Sequence, residues 1–214
     1  MSELGLRERK KQKTRQLLSD TARRLFSEQG FENVSVADVA RAAEVSPATV
    51  FNYFPSKEDL VYSGLELFEA QLLDAVRTRP VGESALNAFG RFILEPRGLL
   101  AVDDDTAAAE LAAVVRMIAA SPALLAREQQ ILAVYTLSLA QLLARETKAT
   151  TGDARPYVAA NAMIGVHRAL INHVRARLVA GPVERRRLAR DVRRRGEAAL
   201  ALLRGGLDDY AVKP

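Results

Sequence analysis

Serines at positions 35, 46 and 56 mark three helix starts so close together that the chain between them can form only short helices. Ser35 with Asp38, and Ser56 with Asp59, have the spacing of a capping box. The hydroxyl takes the backbone N–H three residues on, and the carboxylate returns to the serine's own N–H. Ser46 precedes Pro47, a hydroxyl N-cap followed by proline at the first helical position. These signals predict short helices over Val36 to Ala43 and Ala48 to Tyr53, a stop at Phe54-Pro55, and a long helix from Lys57 to about Arg77.

Elsewhere the apolar residues also recur at helical spacing, and no segment alternates as a strand would. Leu18, Ala22, Leu25 and Phe26 form one face of a first helix from about Arg9 to Gln29, stopped at Gly30. After Arg79-Pro80-Val81-Gly82, further helices are expected at about Glu83 to Leu94, Asp105 to Ala120, Pro122 to Lys148, Arg155 to Val179 and Val183 to Leu203. Breaks fall at Pro96-Arg97-Gly98, Ser121-Pro122, Thr151-Gly152 and Gly181-Pro182, and Asp208 to Pro214 reads as a frayed tail.

The fold class is therefore all-α. With 214 residues, 49% apolar and 27% charged, the chain can bury a substantial core, and its net charge of +5 is not that of a polyelectrolyte. It has no cysteine, which excludes disulfides, thiol nucleophiles and thiolate metal sites and suits a reducing cytoplasm. The opening MSELGLRERKKQKTRQ lacks the apolar run of a signal peptide. No stretch approaches the roughly 18 apolar residues of a membrane span, so no membrane partner is expected.

Residues 35 to 54 thus hold a capped short helix, a tight turn at Glu44-Val45 and a second capped short helix. That is the grammar of a helix-turn-helix and equally of an αα-hairpin inside a larger bundle, and geometry alone leaves both open.

The segment VSVADVARAAEVSPATVFNYFPSKEDL, Val34 to Leu60, follows a basic first helix ending in LFSEQGF, Leu25 to Phe31. Over residues 9 to 60 the chain closely resembles the DNA-binding segment of TetR-type repressors. The resemblance implies an N-terminal three-helix domain with a helix-turn-helix, residues 1–56, and a larger helical ligand-binding and dimerisation domain, residues 57–214. The helix from Lys57 to Arg77 would be the lever between them. It also implies a homodimeric regulator that binds a double-stranded DNA operator, uses no cofactor, and is released from a palindromic site by a small-molecule effector. Glu44 departs from the family, which usually has glycine in that turn; a side chain there resists a positive φ.

A helix entering the major groove presents its N-terminal amides and first-turn side chains to the duplex. Ser46, Ala48 and Thr49 hold that end. By the resemblance, Thr49 and Tyr53 hold phosphates. Asn52 is the side chain best suited to read a base, because its amide can pair bidentately with adenine. Phe51 stands where the family commonly has tyrosine and offers apolar contact to a thymine methyl, or packing. Lys57 lies in a first turn, where a cation opposes the helix dipole, and is placed to meet a phosphate. Arg9 and Lys13 belong to a basic stretch, Arg7 to Lys13, readable as a DNA-contacting arm or as a solubilising tail.

In the second part, an effector pocket is expected among the middle helices. Phe89, Phe92, Met117, Ile118, Leu132, Tyr135 and Leu139 are candidate walls. Arg116, Asn161 and His167 are polar residues in apolar surroundings and read as ligand contacts or as satisfied core groups. The stretch Val114 to Gln130 resembles the regulatory domains of a TetR subgroup that includes mycofactocin-associated regulators, which implies an acyl-CoA-like ligand. A drug-like compound coupled to efflux is the alternative. Aliphatic residues from Val158 to Val174 and from Leu188 to Leu203 suit a four-helix dimer seam, or an intramolecular core. The arginines from Arg185 to Arg195 read first as a solvated face and second as a nucleic-acid surface.

No GxSxG, GxGxxG, P-loop or HExxH motif occurs, so an enzyme is not expected. His167 and His173 are six residues apart, which turns them about 240° around a helix and separates them as metal ligands. No metal site is expected. A helical protein-interaction module remains the competing class. It would not call for Thr49, Asn52 and Lys57 together on the exposed side of a helix-turn-helix.

Overall fold

The computed structural model describes residues 3–96, 105–207 and 212–213, among which there are ten helices and no strand. They are α1 (Glu3–Gln29), α2 (Val36–Ala42), α3 (Pro47–Tyr53), α4 (Lys57–Val61), α5 (Leu65–Arg77), α6 (Ala85–Leu94), α7 (Asp105–Ala120), α8 (Pro122–Glu146), α9 (Arg155–Ala180) and α10 (Arg185–Leu207). The serine signals act as their spacing predicts. The Asp38 N–H donates to Ser35 Oγ at 3.2 Å and the Ser35 N–H to Asp38 Oδ2 at 2.9 Å. Ser56 and Asp59 repeat the pair at 3.3 and 3.0 Å, and the Thr49 N–H donates to Ser46 Oγ at 3.1 Å.

Three expectations are corrected. Residues 7–13 are no loose arm: they lie within α1, which begins at Glu3. The helix expected from Lys57 to Arg77 is two helices, broken at Tyr62–Gly64. Gly64 sits at φ 101°, a left-handed conformation that glycine adopts without a Cβ clash. The C-terminal segment is tied down in part. Val212 bridges Ser84, the Gly82 N–H donates to the Lys213 carbonyl at 2.9 Å, and Lys213 Nζ donates to the Arg77 carbonyl at 3.1 Å. The rest of that tail, and Arg97 and Gly98 of the expected break, lie outside the described residues.

Two large apolar clusters organise the chain. The first gathers Leu18, Phe26, Val39, Val50, Phe54 and Leu60 from α1–α4, and takes in Ile118 of α7 and Leu124 of α8. Leu60, Val61 and Tyr62, beyond the division expected at residue 57, pack with this cluster. The second joins α5, α6, α8, α9 and α10 around Leu72, Phe89, Leu139, Leu143 and Met163. Each such aromatic or leucine side chain removed from water contributes about 1.5–3 kcal/mol. Helices α6 and α10 approach closely through two glycines. A Cβ at Gly90 would come within 2.8 Å of Leu200, and one at Gly196 within 2.4 Å of Leu94. Val166, Leu170 and Leu188, readable as dimer seam or core, are buried within the chain, whereas Val158 and Leu202 are exposed.

Arg79, which the sequence places in a connection, is buried at the α5–α6 corner. Its guanidinium donates to the Val76 and Glu83 carbonyls at 2.6 and 3.0 Å and pairs with Glu146, at the end of α8, at 2.7 Å. A buried cation is tolerated because it is paired and hydrogen-bonded. No single helix among the described residues is long and apolar enough to cross a membrane.

Candidate nucleic-acid interface and effector cavity

Helices α2 and α3 meet across a turn with a specific backbone requirement. The Val45 N–H donates to the Ala40 carbonyl at 2.9 Å and the Glu44 N–H to the Arg41 carbonyl at 3.2 Å. That pairing closes a helix with a left-handed residue, here Glu44 at φ 55°. Glutamate is strained where glycine would rest, at a cost of about 1 kcal/mol. Glu44→Gly is therefore expected to raise stability by up to about 1 kcal/mol in urea unfolding, less the extra backbone entropy that glycine loses on folding. A loss of stability would show that the Glu44 side chain contributes more than its strain costs.

Helix α3 turns Val50 and Phe54 into the core and leaves Ala48, Phe51 and Asn52 exposed, Phe51 at 51%. Among the described residues, none bonds the Asn52 amide. A hollow of about 720 Å³ lies between α1 and α3, lined by Glu8, Lys10, Lys11 and Thr14 on one side and Thr49, Asn52 and Tyr53 on the other. Arg9 and Lys13 are exposed on α1 but do not line it. The basic stretch Arg7 to Lys13 includes Lys10 and Lys11, but the sequence reading singled out Arg9 and Lys13 and missed Thr14; the spacing of three and four residues between Thr14 and the two lysines was the available signal. Ser46 Oγ is tied to Thr49 Oγ1 at 2.9 Å.

Two cations brace this unit. Arg15 donates to the carbonyl of Tyr53 at 3.1 Å, satisfying an orphan group at the end of α3, and lies 4.6 Å from the centre of the Phe54 ring. Lys57 Nζ lies 4.1 Å from the centre of the Phe31 ring, which packs edge-on against Phe26 at 5.1 Å. The aromatic pair fixes where the ammonium stands.

A separate cavity of about 270 Å³ opens in the helical body between α5, α6, α7, α8, α9 and α10. Its walls are mainly aliphatic, including Leu111, Val115, Ile118 and Leu170, with four polar groups: His167, Glu128, Arg175 and the exposed Glu95. Arg175 Nη2 bonds both carboxylate oxygens of Glu128, at 2.5 and 2.7 Å, in a largely buried pair. Burial lowers His167 to about 4, so its ring is neutral near pH 7. It stacks on Phe68 at 5.0 Å, and Phe68 in turn touches Phe92 and Tyr135. Of the ten residues expected as cavity walls or ligand contacts, His167 and Ile118 line this cavity. Phe89, Phe92, Leu132, Tyr135 and Leu139 lie in the core behind it, Met117 packs with the first cluster, and Arg116 and Asn161 are exposed. Glu128 and Arg175 were not anticipated.

The corner between α7 and α8 links cavity and helix-turn-helix unit. Ile118 is both a cavity wall and a member of the first cluster. Ser121 Oγ donates to Glu32 at 2.7 Å, and the Tyr62 hydroxyl donates to the Leu124 carbonyl at 2.9 Å. Burial, with the charge of Glu128 added, pushes the Tyr62 phenol well above its ordinary value, so it remains a donor. Arg127 of α8 binds Asp59 Oδ1 at 2.8 and 2.7 Å, while the other oxygen of Asp59 caps α4.

A helix-turn-helix with a basic lead helix, carried on a larger helical body, is the build of a DNA-binding transcriptional regulator. Residues 18–62 match the family described as bacterial regulatory proteins, tetR family. A protein of Mycobacterium tuberculosis named for the regulation of mycofactocin biosynthesis, MftR, is 31% identical over 172 residues, covering 77% of this chain and 81% of MftR. The regulator TcmR of Streptomyces glaucescens is 40% identical over 84 residues, a match spanning 39% of this chain and 37% of TcmR. Salmonella enterica GusR shares the fold, with a TM-score of 0.52 at 19% identity over 91% of this chain and 95% of GusR. The chain belongs to the TetR family.

Proposed function

We propose that this regulator is a homodimeric repressor whose reading unit, residues 1–56, leaves a palindromic operator when the body, residues 57–214, binds a small hydrophobic or acyl-CoA-like effector. The carrying observation is that Ile118 and Glu128 wall the cavity on the helices whose shared corner grips Glu32, in the turn after α1, and Asp59 of α4. A ligand that fits the cavity better at one corner position shifts the dimer toward it, and lowers DNA affinity by the difference in its binding energies. The break at Tyr62–Gly64 makes this corner, rather than one continuous helix from Lys57 to Arg77, the lever.

The likeness to MftR and the aliphatic walls support the acyl-CoA-like effector. The same walls would take a drug-like compound, the efflux-linked alternative. Val158 and Leu202, exposed on α9 and α10, support a seam between two copies of the body. Thr49, Tyr53 and Lys57 are assigned to phosphates, with Ser46 and Ala48 at the entering helix end, Phe51 for apolar contact and Asn52 for a base. Arg9 and Lys13 would add charge from α1.

Selection of duplexes from a random pool tests this reading, with the expected result a palindrome whose half-sites lie about one helical turn or a multiple apart. Enrichment of no sequence would overturn it. On the selected site, Asn52→Ala should change the preferred base at one position of each half-site, a discrimination of about 1–3 kcal/mol. Lys57→Ala should weaken all sequences alike and reduce the salt slope by about one per subunit. An unchanged base preference in Asn52→Ala removes its assignment.

A further inference from the structure

The C-terminal arginine run forms a concave site rather than a uniform solvated face. Helix α9 ends and α10 begins around a hollow of about 580 Å³, into which Arg177 of α9 and Arg187, Arg190, Arg194 and Arg195 of α10 converge. The four on α10, with Asp191, fall within an arc of about 140° at 100° per residue. Like charges three and four residues apart each cost a few tenths of a kcal/mol in a bare helix. The floor is apolar, made by Val183 and Leu188.

Asp191 is the one acid lining the hollow, and it is already committed. It is bonded by His173 at 2.6 Å, by Arg195 at 3.2 Å and by Arg194. Desolvation would raise its carboxyl, but the bonds from His173 and Arg195 and the charges of Arg195 and Arg194 outweigh that and hold it below its ordinary value. Among the described residues, no carboxylate pairs with Arg177, Arg187 or Arg190. The lining therefore carries five cations against one anion, with three cations uncompensated.

We propose that this hollow is an anion site for a small molecule bearing two or more phosphate groups. Guanidinium forks match phosphate oxygens bidentately. A volume of this size is that of a small-molecule site. The apolar floor suits the uncharged remainder of such a ligand and has no use against a sugar-phosphate backbone. The site is distinct from the effector cavity but shares a wall with it. Helix α10 turns Ala189 and Val192 to the cavity, and Arg187, Arg190 and Arg194 to the hollow.

Calorimetric titration of the full chain with inorganic pyrophosphate tests the proposal. One ion should bind per protomer. The double variant Arg187→Gln/Arg190→Gln should weaken it at least tenfold, with unchanged helicity by circular dichroism. Arg193→Gln, on the same helix but outside the hollow, should leave the affinity unchanged. The proposal is overturned if pyrophosphate fails to bind at millimolar concentration, or if Arg193→Gln weakens it as much as the double variant does. It is also overturned if the double variant loses affinity and salt slope for duplex DNA while still binding pyrophosphate, since the arginines would then serve the DNA backbone. None of these readouts depends on the operator or on the effector of the cavity.

Discussion

Arg175→Met is expected to destabilise the protein by about 3–5 kcal/mol, because it leaves the Glu128 carboxylate without its cation in the wall of an apolar cavity. The pair spans helices α8 and α9, with side chains only 9% and 16% exposed, so water cannot replace either partner cheaply. The double variant Glu128→Leu/Arg175→Met should recover most of the loss, since apolar residues of similar volume remove the buried charge altogether. Urea midpoints of wild type, Arg175→Met, Glu128→Leu and the double variant give the coupling. Additive losses would show that the two groups act independently. Glu128 also faces Tyr62, which holds the start of α8 through the Leu124 carbonyl. Effector release of DNA, where still measurable, should therefore change more in Glu128→Leu than in variants of the outer surface.

What could be read from the sequence was local chemistry. Ser35, Ser46 and Ser56 mark their helices because a hydroxyl three residues from an amide is complete within one turn. Glu44 could be flagged because the strain belongs to one residue. Gly64 was overridden, because Leu60, Leu67, Phe68 and Leu72 continue a helical period across it and periodicity does not register a single left-handed residue. On α1 the composition identified a basic helix, but each residue turns the helix by about 100°, so Lys10, Lys11 and Thr14 rather than Arg9 and Lys13 line the hollow beside α3. The cavity was harder. Apolar periodicity marks burial, and burial alone does not separate Phe89, in the core, from Leu111, on the cavity wall. Partners distant in sequence, such as Glu128 with Arg175 and Arg79 with Glu146, leave no spacing to read. Arg116 and Asn161 stand out in apolar stretches, yet each lies on the exposed side of its helix.

Between pH 7 and pH 4.5 the wild type should lose about 2.5 kcal/mol more stability than His167→Phe. The folded protein holds the imidazole at about 4 by burial, against 6.5 for a solvated ring. Over that interval the unfolded chain binds a proton that the folded chain does not, so stability rises with pH. The contribution is complete above about pH 6.5, is lost as the pH falls toward 4, and changes no further below that. Phenylalanine keeps the stack on Phe68 but cannot titrate, so carboxylates that protonate in the same range cancel in the comparison. Parallel stability curves for the two proteins would mean that His167 is solvated in the folded state, and that the cavity is wetter than its aliphatic walls imply. A neutral His167 near pH 7 also limits what the cavity can hold. Its ring offers one donor and one acceptor but no charge, the charges of Arg175 and Glu128 are spent on each other, and the one further charged group of the lining is the exposed Glu95. A charge carried into this space must break that pair, whereas an uncharged chain can sit beside it, so an acyl-CoA-like effector would place its acyl chain here and leave its charged head outside the cavity.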